Sequence, residues 1–374
     1  MILPGSTLGV LGGGQLGRMF CMAARSMGYR TVVLDPEGAA SPAAAVADHC
    51  IEAVFTDTVA LRKMAGLCDA VTIEFENVPL SALDVIAEHK PVYPAATAVQ
   101  VAQHRIREKD FATQAGLMPA PYASIATEED FDSAIEKIGF PAILKTTTLG
   151  YDGKGQRVVS SGTELERAFT DLGNTEAVLE GKIDIQCEVS VLLARNAQGD
   201  TACYPLAENL HRHGILHQSI VPARVSVELS EKAIEQATML AKALDYVGVI
   251  AVEFFVTTDN NLIFNEMAPR PHNTGHYTLD ASQHSQFQQQ VRALCGLTLG
   301  DTELLCPAVM VNLLGDIWPV DWAKCLETPT VKLHLYGKEE ARAGRKMGHY
   351  TVLGNDIEWV ISEADGVFSR LSGS

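Results

Sequence analysis

Residues 249–267, VIAVEFFVTTDNNLIFNEM, constrain the chain more than any other stretch. Two apolar runs rich in β-branched and aromatic residues flank Asp259-Asn260, which tolerate left-handed backbone and suit a tight hairpin turn. Each run carries one glutamate, Glu253 in the first and Glu266 near the end of the second. With the turn centred on Asp259-Asn260, Thr258 faces Asn261 and Glu253 faces Glu266. Side chains directly opposed on neighbouring strands stand about 5 Å apart at Cβ, and like charges there repel. Two carboxylates can share an apolar hairpin only if something compensates them. A hard divalent cation does so economically, since Mg²⁺ is held by one or two carboxylates plus substrate phosphates. The other reading is an exposed edge hairpin with both glutamates in water.

At 374 residues the chain has room for two or three domains. Its formal net charge of -17 argues against nucleic-acid or anionic-membrane partners, which select basic surfaces, but leaves room for a small anionic substrate. The eight cysteines form no CxxC pair and no metal-ligand spacing, as expected of reduced thiols in a cytoplasmic protein. Neither a signal peptide nor a membrane span is expected from the N-terminal segment.

Strand and helix patterns alternate over the first ~100 residues: strands at 7–11, 29–35 and 69–75, helices at 18–27 and 79–89. A short strand is expected at 91–94 and an amphipathic helix at 103–115. Strands at 140–145, 156–160, 177–180 and 188–194 follow, then a helix at 230–244 and the hairpin. Beyond Cys306 the pattern reads as β-rich to the end.

Several motifs carry chemistry. Gly12-Gly13-Gly14-Gln15-Leu16-Gly17 lies between a strand and a helix, and Asp35 ends the next strand, as in a dinucleotide-binding fingerprint. Nothing else suggests hydride chemistry, so a phosphate or small polar substrate at the helix N-terminus is the better expectation. The segment 146–156, TTTLGYDGKGQ, joins strand to strand and cannot be a Walker A loop, which must enter a helix. It suits a flap whose amides cover phosphates, with Lys145 as a point charge beside them. Glu208, His211, His213 and His217 read better as a polar wall than as a zinc site. Lys338, Arg342, Arg345 and Lys346 are concentrated in a glycine-bracketed loop that suits a phosphate ester, the alternative being a solvated face.

Taken together, GGGQLGRM at 12–19, EFENV at 74–78, KTTTLGYDGKGQ at 145–156, EVSV at 188–191, YPLAENLHRHGIL at 204–216, NEMAPRPHNTGH at 265–276 and AGRKMGH at 343–349 resemble the ATP-grasp superfamily. More narrowly, they resemble its 5-(carboxyamino)imidazole ribonucleotide synthases. That resemblance implies an α/β and α+β architecture in three parts. A Rossmann-like parallel α/β domain spans 1–102 and an ATP-grasp domain 103–298, its flap subdomain at about 117–178; a small β-rich domain spans 299–374. It implies a homodimer that uses ATP, Mg²⁺ (or Mn²⁺), bicarbonate and aminoimidazole ribonucleotide. Arg105, Lys145, Gly150, Tyr151, Asp152, Gly153, Lys154, Gly155, Gln156, Glu180, Ile183, Glu188, His211, Asn265 and Glu266 fall at nucleotide positions. Of these, Glu188 would hold the ribose, and Glu180 with the residues after it would meet adenine. Glu253 and Glu266 would carry the metal. Gln15, Leu16, Glu74, His272, Asn273, Lys338, Arg345 and Lys346 fall at substrate positions, with Tyr151, Asp152, Lys338 and Arg345 as catalytic candidates. Another ATP-grasp ligase, such as formate-dependent glycinamide ribonucleotide transformylase, is the nearest competing expectation; a nicotinamide-dependent dehydrogenase is the competitor from another class.

Overall fold

The structure, a computed structural model, describes residues 1–148, 150 and 155–373. Among these the strands form three sheets. The first is parallel, with β1 (Thr7–Leu11), β2 (Arg30–Asp35), β3 (His49–Glu52) and β4 (Ala70–Ile73) in the order β3-β2-β1-β4. Its strands are apolar runs because helices cover both faces. Leu11 ends β1 beside Ile73 at the end of β4, so the glycine turn after β1 emerges next to Glu74. This is the crevice where open parallel sheets bind ligands. The strand expected at 91–94 is reduced to one bridge, Val71 to Val92, between two prolines that cannot donate to a ladder.

The second sheet is antiparallel, with β5 (Tyr122–Ile125), β6 (Ala142–Thr146), β7 (Gln156–Val159) and β8 (Ala177–Gly181) in the order β5-β8-β6-β7. Lys145 pairs with Gln156, so β6 and β7 frame the glycine-rich segment as a hairpin. The helices Phe131–Ile138 and Gly162–Asp171 close one face through Phe131, Leu165 and Phe169.

The third sheet comprises β9 (Ile185–Arg195), β10 (Thr201–Cys203), β11 (Ala207–Arg212), β12 (Ile215–Val221), β13 (Gly248–Thr257), β14 (Leu262–Ala268), β15 (Ala308–Leu314), β16 (Val331–Leu335) and β17 (Lys346–Leu353). Their order is β14-β13-β9-β11-β12-β15-β17-β16, with β10 paired to β9. The two-residue period divides β9 and β13 by face. Val189, Val191, Ile250, Val252 and Phe254 pack on the helix Val227–Ala243, which presents Leu229, Ala233, Ala237, Leu240 and Ala241 at helical spacing. Glu188, Glu253 and Phe255 face the other way, into a cleft.

Two details depart from expectation. The C-terminal strands are not a sheet of their own, since β15 continues the sheet from β12, and the segment is not β-rich to its end but finishes in a helix, Ile357–Ser372. Asp356 caps it by accepting from Trp359 N at 2.8 Å, and Val360, Ala364, Val367 and Leu371 recur at helical spacing toward the sheet. The hairpin turn is also longer than expected. Thr257 N donates to Asn261 O at 3.0 Å and Asn260 has φ 58°, which makes a three-residue loop, 258–260. Pairing therefore starts one residue out of register, as Val256 with Leu262 and Phe254 with Phe264. A bulge at Asn265 restores it, and Glu253 pairs with Glu266 after all.

Candidate active site

The bulge accounts for the local arrangement of acceptors. Strict alternation would send Asn265 and Glu266 to opposite faces; with one extra residue in the strand, both line the cleft. The cleft has two arms, cavities of about 380 and about 210 Å³ that share Arg105, Glu266, His272, Asn273 and Lys346. Gln15, Leu16, Glu74, Glu108, Gly150 and Arg270 line the larger arm. Lys145, Gln156, Glu188, His211, Glu253 and Asn265 line the smaller.

Glu74 occupies the place the sequence suggested for an anion. Its carboxylate accepts from Gly14 N and, at 2.7 Å, from Gly17 N, so the helix Gln15–Ser26 meets the chain's own acid instead of a ligand phosphate. Burial pushes the Glu74 pKa up, with the two amides opposing. Gly12 is required by this approach: its φ is +104° and a Cβ would stand 2.4 Å from Glu74 Cγ. Asp35 is equally committed, accepting from Gly13 N at 2.7 Å and Glu37 N at 2.8 Å, so both its oxygens shape the loop. These bonds give the fingerprint a structural role and remove the basis of the dehydrogenase reading.

Beneath the smaller arm Glu180 is buried between two lysines, with Lys145 Nζ at 2.7 Å and Lys109 Nζ at 3.0 Å. Burial alone would raise its pKa; Lys145 and Lys109 outweigh that and hold it at about 2. The carboxylate anchors Lys145, and Ile183, half-buried in the link from β8 to β9, lines neither arm. Glu188 Oε2 lies 3.1 Å from His211 Nδ1, a contact reached through the β11 bulge between Leu210 and His211. The other members of the suggested polar wall are dispersed. Glu208 grips Arg224 at 3.0 and 2.6 Å, His217 packs edge-on against Phe368, and His213 forms the β11–β12 turn with φ 53°.

At the junction of the arms Arg105 Nη1 reaches Glu266 Oε2 at 3.3 Å, and Arg105 Nη2 donates to Gly150 O at 3.4 Å. Glu253 is 13 % exposed with His272 Nδ1 at 3.6 Å. Burial keeps that imidazole neutral, helped by Arg270 and Lys346. Burial, then Glu266 and Glu188, pushes the Glu253 pKa well above the carboxylate range. Glu253 thus lacks a full counter-charge, and with Glu266 and Asn265 it forms an all-oxygen donor set that fits a hard cation completed by phosphate oxygens. Asn273, 9 % exposed, has buried side-chain Oδ1 and Nδ2 atoms that find no hydrogen-bond partner among the described residues, which leaves both free to meet a ligand in the cleft.

Three family models match the chain in succession. They are the ribonucleotide synthetase preATP-grasp domain over residues 5–103, the ATP-grasp domain over 110–287, and the phosphoribosylaminoimidazole carboxylase C-terminal domain over 308–363. The N5-carboxyaminoimidazole ribonucleotide synthase of Brucella melitensis is 47 % identical over 351 residues, 93 % of this chain and 96 % of the relative. The chain belongs to the N5-carboxyaminoimidazole ribonucleotide synthase family. Among solved structures of that family, the Staphylococcus aureus enzyme complexed with ADP superposes with a TM-score of 0.93 at 39 % identity, covering 98 % of each chain. The Aspergillus clavatus synthase in complex with ADP and 5-aminoimidazole ribonucleotide superposes with a TM-score of 0.88 at 28 % identity, covering 99 % of each.

Most of the residues implied by the synthase resemblance converge on the cleft. Tyr151, Asp152, Gly153 and Lys154 lie outside the described residues, and Gly155 lines neither arm but a neighbouring groove with Thr146 and Glu176. The cationic segment is only partly a loop, since Lys346 begins β17 and is its one residue lining the cleft. Lys338 and Arg345 stand behind it. Lys338 Nζ donates to Lys346 O at 2.8 Å, and Arg345 Nη1 to Glu340 O at 2.9 Å. Sequence reasoning missed four residues, two that line the cleft (Glu108 and Arg270) and two that support it (Lys109 and Gln286). Lys109 partners Glu180, and Glu108 Oε1 accepts from Met267 N at 2.6 Å, its pKa raised by burial to about 8. Arg270 is ion-paired to Glu76. Gln286 brackets His272, accepting from its N at 2.7 Å and donating to its O at 2.8 Å. Only Arg270, a lone charge inside APRPHN, left a readable signal.

Proposed function

We propose that this chain joins 5-aminoimidazole ribonucleotide and bicarbonate at the expense of ATP, giving N5-carboxyaminoimidazole ribonucleotide, ADP and phosphate. The observation that carries this reading is the shared junction of the two arms. A nucleotide among Lys145, Glu188, His211 and Asn265 and an amine acceptor beside Gln15, Leu16 and Glu74 would present their reacting ends to the same five residues. In the first step a bicarbonate oxygen attacks the γ-phosphorus and the bond to ADP breaks, giving carboxyphosphate. The exocyclic amine then attacks the carboxyl carbon, the bond to phosphate breaks, and the amine gives up a proton. Phosphoryl transfer asks the protein chiefly for in-line positioning and charge neutralisation. Arg105, Lys145 and Lys346 supply fixed positive charge, while Asn273 offers a donor and an acceptor to bicarbonate. Glu253 and Glu266 would hold Mg²⁺, or Mn²⁺ in its place, which neutralises charge on the β- and γ-phosphates. Lys338 and Arg345 reinforce Lys346 toward the ribonucleotide phosphate. Carboxyphosphate must be kept from water, and the resemblance gives that task to the glycine-rich segment between β6 and β7, whose Tyr151 and Asp152 lie outside the described residues.

The same reading divides the chain at 1–102, 103–298 and 299–374, supported by the order of the three family matches, and takes the working enzyme as a cytoplasmic homodimer. Among the described residues no helix is long and apolar enough to cross a membrane. Phosphate release with ATP, Mg²⁺ and aminoimidazole ribonucleotide tests the function. It should require bicarbonate and ignore formate, and Glu266→Gln should reduce it to background while the thermal melt persists. Formate dependence, or full turnover in Glu266→Gln, would overturn the assignment.

A further inference from the structure

Two histidines from the cleft motifs take no part in the chemistry above. His276 ends NEMAPRPHNTGH and His349 ends AGRKMGH. Both are almost wholly buried, and their rings pack at 4.9 Å between centroids. Each is fixed by a neighbour. Gln286 Nε2 lies 3.1 Å from His276 Nδ1, and Tyr336 OH lies 2.9 Å from His349 Nδ1. On the far side His334 stacks on His349 at 4.6 Å and 14°, and its Nε2 meets Asp280 Oδ2 at 2.8 Å.

Both rings sit one short step from the cleft. His276 N donates to Asn273 O at 3.1 Å, closing the turn that carries Asn273. Gln286 grips the backbone of His272 while touching the His276 ring. Gly275 permits that grip, since a Cβ there would stand 2.8 Å from Gln286 Oε1. His349 lies three residues beyond Lys346 on β17, and Tyr336 supports Lys338, whose Nζ is 5.7 Å from the ring centre. The cluster thus spans the gap between the turn bearing His272 and Asn273 and the strand bearing Lys346. A purely structural core would not choose these groups. Among the described residues His349 Nε2 is buried with no hydrogen-bond partner, a cost that an aliphatic side chain of similar size avoids. Paired aromatic rings with hydrogen-bonded edges instead fix both distance and rotation.

We propose that Gln286, His276, His349 and Tyr336 form a positioning strut that sets the separation between the His272–Asn273 turn and Lys346, so that ribonucleotide binding depends on the C-terminal strands. The strut rests on the functional reading above. Lys145, Glu188 and His211 belong to other elements, so the nucleotide arm meets the strut only at the shared junction, through His272, Asn273 and Lys346, and ADP, which lacks the γ-phosphate, should depend on it less than the ribonucleotide does.

The experiment compares the full-length wild type with His349→Ala, His349→Phe and Tyr336→Phe. Initial rates with ATP, bicarbonate and aminoimidazole ribonucleotide are measured alongside ADP affinity by calorimetry. His349→Ala should raise the ribonucleotide KM at least tenfold and leave ADP affinity within twofold. His349→Phe, which restores a flat ring, should recover most of that loss. Should His349→Ala not fold, Tyr336→Phe removes one hydroxyl at constant shape and should raise the ribonucleotide KM about threefold. An unchanged KM, or a KM that rises in step with ADP dissociation and a falling melting temperature, overturns the strut. A wild type whose ADP formation ignores the ribonucleotide overturns the functional reading instead.

Discussion

Glu180→Gln perturbs the electrostatics beneath the nucleotide arm at one oxygen atom. In the native protein one buried carboxylate balances Lys145 at 2.7 Å and Lys109 at 3.0 Å. A carboxyl held at about 2 instead of 4.5 favours its charged form by roughly 3 kcal/mol, each pKa unit being worth about 1.4 kcal/mol. Removing one partner of a buried ion pair costs about 3–5 kcal/mol, so two routes give the same magnitude. The variant should lose about 3 kcal/mol of stability at pH 7 in urea unfolding followed by circular dichroism. Because the folded pKa lies below the unfolded one, the carboxylate's contribution is complete above pH about 4.5 and fades as pH falls toward about 2. The gap between wild type and variant should therefore close over that window. Lys145 would also lose its anchor beside the nucleotide. The loss of a charge-assisted contact of about 1.5–3 kcal/mol should weaken ADP about 10- to 100-fold in calorimetry. Lys109→Met leaves the Glu180–Lys145 pair intact and should retain most of the ADP affinity. A Glu180→Gln protein as stable as wild type at pH 7, binding ADP equally well, would refute the claim that this buried triad organises the site.

Asn273→Leu should separate stability from function: two unbonded buried polar atoms disappear, so unfolding free energy should hold or rise by about 1 kcal/mol, while bicarbonate-dependent phosphate release falls at least 100-fold. A destabilised but active variant would contradict this. Lys338 is held at about 8 by burial and by Arg345, so it is charged below that pH and neutral above it. The ribonucleotide KM should be flat below about pH 8 and climb above it, and Lys338→Arg should extend the flat region; a climb persisting in Lys338→Arg would assign it to another group. Gly12→Ala meets both a positive φ and the Glu74 side chain, and should cost about 1–3 kcal/mol in thermal or urea unfolding; a neutral result would show that the glycine loop can rearrange.

What the sequence made legible followed from local chemistry. Strand-flanked glycines, an apolar hairpin with two stray glutamates and a glycine-rich strand-to-strand segment each need only their neighbours to be read. Lys109 and Glu108 could not be found this way. They lie in the helix Arg105–Gln114, whose charges look like those of any solvated helix until β8 and β14 bury that face. Glu74 reads as a cleft residue from the sequence, but that it fills the helix N-terminus depends on β4 lying beside β1, a pairing 62 residues apart. The terminal helix was missed although Asp356 and its apolar spacing announce it, because the β pattern before it was extended too far.

The hairpin is the most instructive case. The sequence suits a two-residue turn and a three-residue loop is present, a difference that in regular pairing would send Glu266 to the opposite face. The bulge at Asn265 supplies the compensating residue, and Glu253 faces Glu266 as the simpler register implied. The insertion also gives the site something regular pairing cannot provide, because a flat ladder offers one side chain per two residues on each face. With Asn265 inserted, consecutive residues of β14 both reach the cleft, and three oxygen-bearing side chains, Glu253, Asn265 and Glu266, bear on one arm. The departure from ideal strand geometry lies where the chemistry calls for density of ligands, not where the turn requires relief, so the bulge belongs to the site and not to the loop. Deleting one loop residue among 258–260 should then leave the Glu253–Glu266 pairing intact, whereas deleting Asn265 should make the ladder regular, keep Glu266 opposite Glu253 and remove one of the three oxygen donors, so that turnover falls while the fold persists.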